Sequence, residues 1–238
     1  METRVPILMY HKVAPRNPKA LVKGHYVSPG TFGRHLRLLK VLGFDSVGLN
    51  NLFQPDAVLP RRPIVITFDD GYQNFFDQAL PRLQHSGFVS TVFLVANQLG
   101  GTNAWDASLG DVIEPLMGIE TIRQAAAAGT EFGSHTLDHV NLKTAEKTEA
   151  RRQIVESKAV LEEALRIPVE TFCYPYGAMN AETPGIVREA GYRLACSTLK
   201  GSNTSQTDRY ALRRINVRSD TWTPVLWLKL LRAARDGN

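Results

Sequence analysis

The chain has little cysteine. Only Cys173 and Cys196 occur in 238 residues, and neither belongs to a C-x-x-C pair, so a disulfide framework is excluded. Both read as small buried residues, which suits a reducing compartment. Long apolar runs are missing too. No stretch approaches the ~20 apolar residues of a membrane span. The N-terminal run from Val5 to Tyr10 stops at His11 and Lys12, short of a secretory signal core. On this reading the protein is cytoplasmic, or peripheral at the inner membrane face. Nor is there a strong charge of one sign. The 28 Lys and Arg against 23 Asp and Glu leave +5, which permits an anionic partner but calls for no nucleic acid. Repeats, low-complexity tracts and long linkers are absent. With 43% hydrophobic and 21% charged residues, a disordered or fibrous chain is excluded. The expectation is one domain over residues 1–238.

What is present is an alternation of β-rich runs with helical patterns. The runs are Val5–Tyr10, Ile64–Phe68, Val89–Val95, Val169–Cys173, Tyr192–Cys196 and Arg214–Val217. Helices are expected at about Pro29–Leu42, Gln73–His85, Asp111–Ala128, Thr144–Arg166, Pro184–Ala190 and Pro224–Ala234. Such alternation implies parallel strands joined by crossovers, in an α/β fold that is a closed or nearly closed (β/α) barrel rather than an open sheet. In either architecture chemistry belongs at the carboxyl ends of the strands.

Three motifs sit at such ends. Thr67-Phe68-Asp69-Asp70-Gly71 follows an apolar strand, and two adjacent carboxylates there are costly unless a cation or a proton separates their roles. A solvated Asp-Gly turn is the plain alternative. His135-Thr136-Leu137-Asp138-His139 places two imidazoles at i and i+4, which on a helical turn share one face and one metal. One carboxylate and two imidazoles are three protein ligands, the pattern of a catalytic zinc site and also of Fe(II) oxygenases. The second carboxylate is then free to act as a general base. Phe172-Cys173-Tyr174-Pro175-Tyr176-Gly177 is a rigid turn that can aim the Tyr176 N–H as an oxyanion donor, or can simply pack.

In this order and spacing, TFDDG, H-x-x-x-H and YPYG resemble the polysaccharide deacetylases, carbohydrate esterase family four with the NodB homology domain. The resemblance runs from about Pro6 to Val217. LMYHKV at the start, TNAWD at Thr102–Asp106 and the YPYG form are similar to the branch that includes poly-β-1,6-N-acetylglucosamine deacetylases. The resemblance implies a distorted (β/α) barrel of about seven strands and metal-dependent removal of N- or O-acetyl groups from sugars.

Carried over motif by motif, it makes Asp69 the general base, gives the metal to Asp70, His135 and His139, and makes the Tyr176 N–H an oxyanion donor. Zinc is the default ion, with cobalt, nickel or iron admitted by the same ligands. The sequence departs from the family twice. Thr171-Phe172 stands where an arginine normally braces the base, and no histidine follows His139 to act as general acid. Arg213 or Arg214 is the candidate brace, and alternation turns only one of them inward. His11, directly after the first strand, is the candidate acid. His25, His35 and His85 read as peripheral.

Trp105 and Asp106, with Tyr174 and Pro175, are the expected substrate contacts, for an acetylated carbohydrate partner. In the last helix Trp222, Leu226, Trp227, Leu230 and Leu231 alternate with Lys229, Arg232 and Arg235, a spacing of core packing or, alternatively, of peripheral membrane contact. Two rival functions are a sugar-binding module without catalysis and an Fe(II) oxygenase.

Overall fold

The structure, a computed structural model, describes residues 3–52 and 57–235. Seven strands carry the site: β1 (Val5–Tyr10), β2 (Pro63–Phe68), β3 (Thr91–Leu94), β4 (Glu131–Ser134), β5 (Thr171–Cys173), β6 (Leu194–Cys196) and β7 (Ile215–Asn216). From β1 to β6 each strand pairs in parallel with the next. β7 returns to the free edge of β1, also in parallel. Cys196 of β6 forms a parallel bridge to Leu212, four residues upstream of Asn216. The stretch from Leu212 to Asn216 therefore spans the gap between the last and first strands of a curled sheet. Short strands add to the edges: Ser202–Asn203 runs antiparallel to β1, and Asp45–Ser46 lies along β2.

Alternation along these strands separates two apolar layers. Leu8, Ile64, Ile66, Phe68, Val92, Phe132 and Phe172 face the surrounding helices. Ile7, Val65, Phe93, Cys173, Cys196 and Leu212 fill the interior of the curl. This double burial is why PIVITF is apolar throughout rather than alternating. Following the same parity past each strand end turns His11, Asp69, His135 and Arg214 toward the interior, at one rim. Gly133 is required in β4 because a Cβ there would meet Phe93 Cδ1 at 2.7 Å.

The helices are α1 (Pro29–Val41), α2 (Leu80–His85), α3 (Ile119–Ala127), α4 (Lys147–Leu165), α5 (Thr183–Glu189) and α6 (Thr223–Arg235). α1 starts where expected because the Ser28 side chain accepts from Thr31 N–H and Pro29 is preset for the first turn. It ends at Val41, capped by Leu42 and followed by Gly43 at φ 72°. Two expectations need correction. The pattern over Gln73–His85 is a wide π-turn, Phe75–Ala79, followed by α2. The third helix begins at Ile119 rather than Asp111, because residues 111–118 lie extended. There Leu116 bridges Tyr72, Pro115 bridges Thr102, and the Asp111 carboxylate accepts from the N–H groups of Leu21, Val22 and Val112.

Candidate active site

The two adjacent aspartates leave β2 in different directions. Asp69 continues the strand, its N–H donating to Tyr10 O, while Asp70 turns into the left-handed region at φ 74° and Gly71 follows at φ 75°. Five non-glycine residues among those described have positive φ: Asp70, Thr136, His139, Arg166 and Tyr176. Arg166 ends α4, and the other four belong to the three motifs. Backbone strain of this kind costs about 1–3 kcal/mol per residue and persists where surrounding contacts over-determine it.

Asp69 is held by Arg214. Nη1 lies 2.6 Å from Oδ1 and Nη2 2.8 Å from Oδ2. The same guanidinium donates to Ser197 O, Thr67 Oγ1 and Cys173 Sγ, so all five of its donors are used in a fully buried position. Arg213 points out and donates to Lys200 O. Arg214 is thus the brace that the third motif lacks, delivered by the segment that spans the sheet's seam. Burial alone would raise the Asp69 pKa, but the guanidinium outweighs it and holds the carboxyl below its usual range.

Asp70 faces the two histidines. Its Oδ1 is 3.5 Å from His135 Nε2 and 3.3 Å from His139 Nε2, and it is buried with no hydrogen-bond partner. The other ring nitrogens are engaged. His135 Nδ1–H donates to Cys173 O at 2.7 Å, and His139 Nδ1 is 3.1 Å from the Tyr176 hydroxyl. With each Nδ1 engaged elsewhere, both Nε2 atoms are directed at the orphaned carboxylate oxygen. Ligands of a tetrahedral zinc lie roughly 3.4 Å apart, so these three atoms fit a divalent ion. Burial opposes charge at Asp70, yet the two imidazoles hold its carboxyl well below the usual range.

The i, i+4 histidines do not converge on a helical turn, as expected from their spacing. They lie on a loop, with Thr136 at φ 69° and His139 at φ 59°. The loop is fixed from α4, where the buried Gln153 accepts from the N–H groups of Leu137 and Asp138 and donates to the Asp138 carboxylate. Asn97 holds the other Asp138 oxygen. No sequence motif announced Gln153.

His11 reaches the rim with Nε2 3.9 Å from Asp69 Oδ2. Burial pushes its imidazole down to about 3, so the ring is neutral near pH 7. His25 is not peripheral as expected: its ring stacks on His11 at 3.8 Å, 12° from parallel. His35 is buried in packing, hydrogen-bonded to Tyr10 and to Thr221 O, and His85 is exposed on α2. Beside the pair, buried Lys12 lies between the Tyr26 and Tyr72 rings, and the Tyr26 hydroxyl donates to Glu114.

Of the expected substrate contacts, Trp105 stacks on His139 at 4.5 Å and forms a wall beside the ligand set. Asp106, half-buried, accepts from Asn103 Nδ2. Tyr174 requires correction: its side chain is fully buried and its hydroxyl donates to Tyr210 O, so it faces the core. Pro175 is buried as well and shapes the turn. Tyr176 stands at the cleft edge, 55% exposed, with φ 60° and its phenol pushed up to about 12 by burial and by Asp106 and Asp70.

The chain is similar to known proteins in both sequence and fold. The polysaccharide deacetylase family model matches residues 56–195. The Bacillus subtilis protein YxkH is 24% identical over 217 residues, covering 90% of this chain and 71% of its own length. A poly-β-1,6-N-acetyl-D-glucosamine N-deacetylase of Staphylococcus epidermidis is 23% identical over 240 residues, with 92% and 81% covered. In fold, the Streptococcus pyogenes deacetylase PplD superposes with a TM-score of 0.82 at 21% identity, over 96% of this chain and 99% of that one. IcaB from Ammonifex degensii gives 0.81 at 23% identity, over 98% and 97%. With its curled parallel sheet and its three motifs at one rim, the chain belongs to the polysaccharide deacetylase family.

Proposed function

We propose that the protein is a metal-dependent hydrolase that removes N-acetyl groups from an acetylated amino sugar and releases acetate. The observation that carries this is the division of labour between neighbouring carboxylates. Asp69 is oriented and kept ionised at rest by Arg214, and Asp70 is paired with two imidazoles. A hydrolase needs such a base beside its ligand set, whereas an Fe(II) oxygenase with the same three ligands has no use for it. The named activity of the Staphylococcus epidermidis relative supports an N-acetylated sugar as the substrate class.

Asp70, His135 and His139 would hold the ion, zinc by default. When bound, it supplies Lewis-acid polarisation of the acetyl carbonyl and acidifies water. Asp69 takes the proton of the attacking water. The Tyr176 N–H donates to the oxygen that gains charge. His11 then receives the proton from Asp69 and hands it to the leaving nitrogen. Burial keeps the ring neutral beforehand, and the same burial makes its protonated form a strong acid. Trp105 packs against the apolar face of the sugar, and Asp106 accepts from a hydroxyl.

The experiment is acetate release from N-acetylated β-1,6-glucosamine oligomers and chito-oligomers, with and without chelation and re-addition of zinc. Activity that chelation removes and zinc restores is expected. A zinc-loaded protein that releases no acetate from any N-acetylated sugar would overturn the assignment.

A further inference from the structure

Charge is distributed unevenly over the helical layer. α4 carries Glu149, Glu156, Glu162 and Glu163 and pairs them locally, as in Arg152–Glu149 and Lys158–Glu162. α1 and α6 contain no Asp or Glu at all. These two acid-free helices pack against each other, and a groove lined by Arg34, Arg37, Leu38, Val41 and Thr223 joins them. Across α6 lies a cavity of about 210 Å³ lined by Lys200, Lys229 and Arg232.

Between these cationic flanks the solvent face of α6 is apolar. Leu226, Leu230 and Ala233 are buried as expected for packing, but Trp227, Leu228 and Leu231 are 44, 46 and 40% exposed. Trp222, just before the helix, is 62% exposed, and Val41 at the end of α1 is 80% exposed. The spacing of Trp222, Trp227 and Leu231 suits core packing or peripheral membrane contact, and the structure turns all three to solvent. The side chain of Arg235 lies outside the described residues. No helix among those residues is long and apolar enough to cross a membrane.

We infer that the α1/α6 face docks on a bilayer surface bearing anionic phospholipid headgroups. The apolar strip matches the part of an amphipathic helix that enters the headgroup boundary, and the flanking Arg34, Arg37, Arg232 and Lys200 match the anionic layer above it. A second copy of the chain fits less well, because a two-fold contact would set this cationic face against itself. The strip begins at the catalytic rim. Ser219 N–H donates to Gly24 O beside His25, and His35 of α1 is bonded to Thr221 O. Docking therefore lays the side of the helical layer on the membrane, with one end of the strip at the rim. This inference does not depend on the proposed chemistry.

Flotation of the full chain with phosphatidylcholine vesicles, with and without phosphatidylglycerol, tests it. The protein should float only with the anionic vesicles, and added salt should release it. Arg34→Gln with Arg37→Gln should weaken partitioning by roughly fivefold per arginine, and Trp227→Ser with Leu231→Ser should abolish it. Unchanged circular dichroism would show that each variant is folded. No flotation with either vesicle, equal flotation with both, or indifference to both variant pairs would overturn the inference. So would a dimer, seen by light scattering, that Trp227→Ser with Leu231→Ser dissolves while the native chain ignores vesicles.

Discussion

Asp69 and Arg214 lie 145 residues apart in the chain and meet through two parallel hydrogen bonds of 2.6 and 2.8 Å. The contact joins the end of β2 to the segment that spans the seam between β6 and β1, so that segment orients the Asp69 carboxylate.

Arg214→Ala would leave the Asp69 carboxylate buried and unpaired. Removing one partner of a buried ion pair costs about 3–5 kcal/mol, and a fall of that size in unfolding free energy is expected from urea denaturation. Arg214→Lys keeps the charge but cannot serve Asp69, Ser197, Thr67 and Cys173 together. Its acetate release should fall even where the protein remains folded. Native turnover in Arg214→Lys would show that Asp69 needs charge balance alone.

The two aspartates also set the acid limit of stability. Both have folded pKa values held below the unfolded value near 3.9. The stability they contribute is complete above that value and is lost as pH falls through the depressed folded ones. The urea midpoint should therefore drop steeply on acidification below about pH 4. Asp69→Asn should show a shallower slope over the same interval, although it starts from a lower stability. An unchanged slope would remove Asp69 from the linkage.

Tyr176→Phe deletes the hydroxyl that partners His139 Nδ1 and keeps the backbone N–H. Loss of such an outer partner typically weakens metal binding about 10–100-fold. Zinc competition against a chromogenic chelator reads this directly. Turnover at saturating zinc should change much less than affinity does. Equal affinities would mean that Trp105 stacking and loop strain suffice to hold the ring.

His11→Ala should depress hydrolysis of N-acetyl amides far more than that of activated acetate esters, whose leaving groups need no proton. Zinc content should stay native, since His11 is outside the proposed ligand set of Asp70, His135 and His139. Equal losses on both substrates would make His11 a positioning residue, with Asp69 itself returning the proton.

The motifs and their order were readable from the sequence because each is local. A strand end, a tight turn and paired carboxylates are dictated by residues within a few positions of one another, and the β-rich runs found six of the seven site strands; Glu131–Ser134 escaped because Phe132 is its one large apolar residue. The candidate brace was already Arg213 or Arg214, and alternation turned only one of them inward. Tertiary structure made that choice, since inward and outward are defined only once Leu212 bridges Cys196. It also decided what local pattern misread. The histidine pair fits a helix by spacing, but Gln153 from α4 holds it in a strained loop. His25 joins His11 because the Asp111 carboxylate pins the Leu21–Val22 backbone nearby. Tyr174 turns to the core, and Trp227 and Leu231 turn to solvent. Each of these depends on contacts between distant segments, which residue type and spacing do not encode.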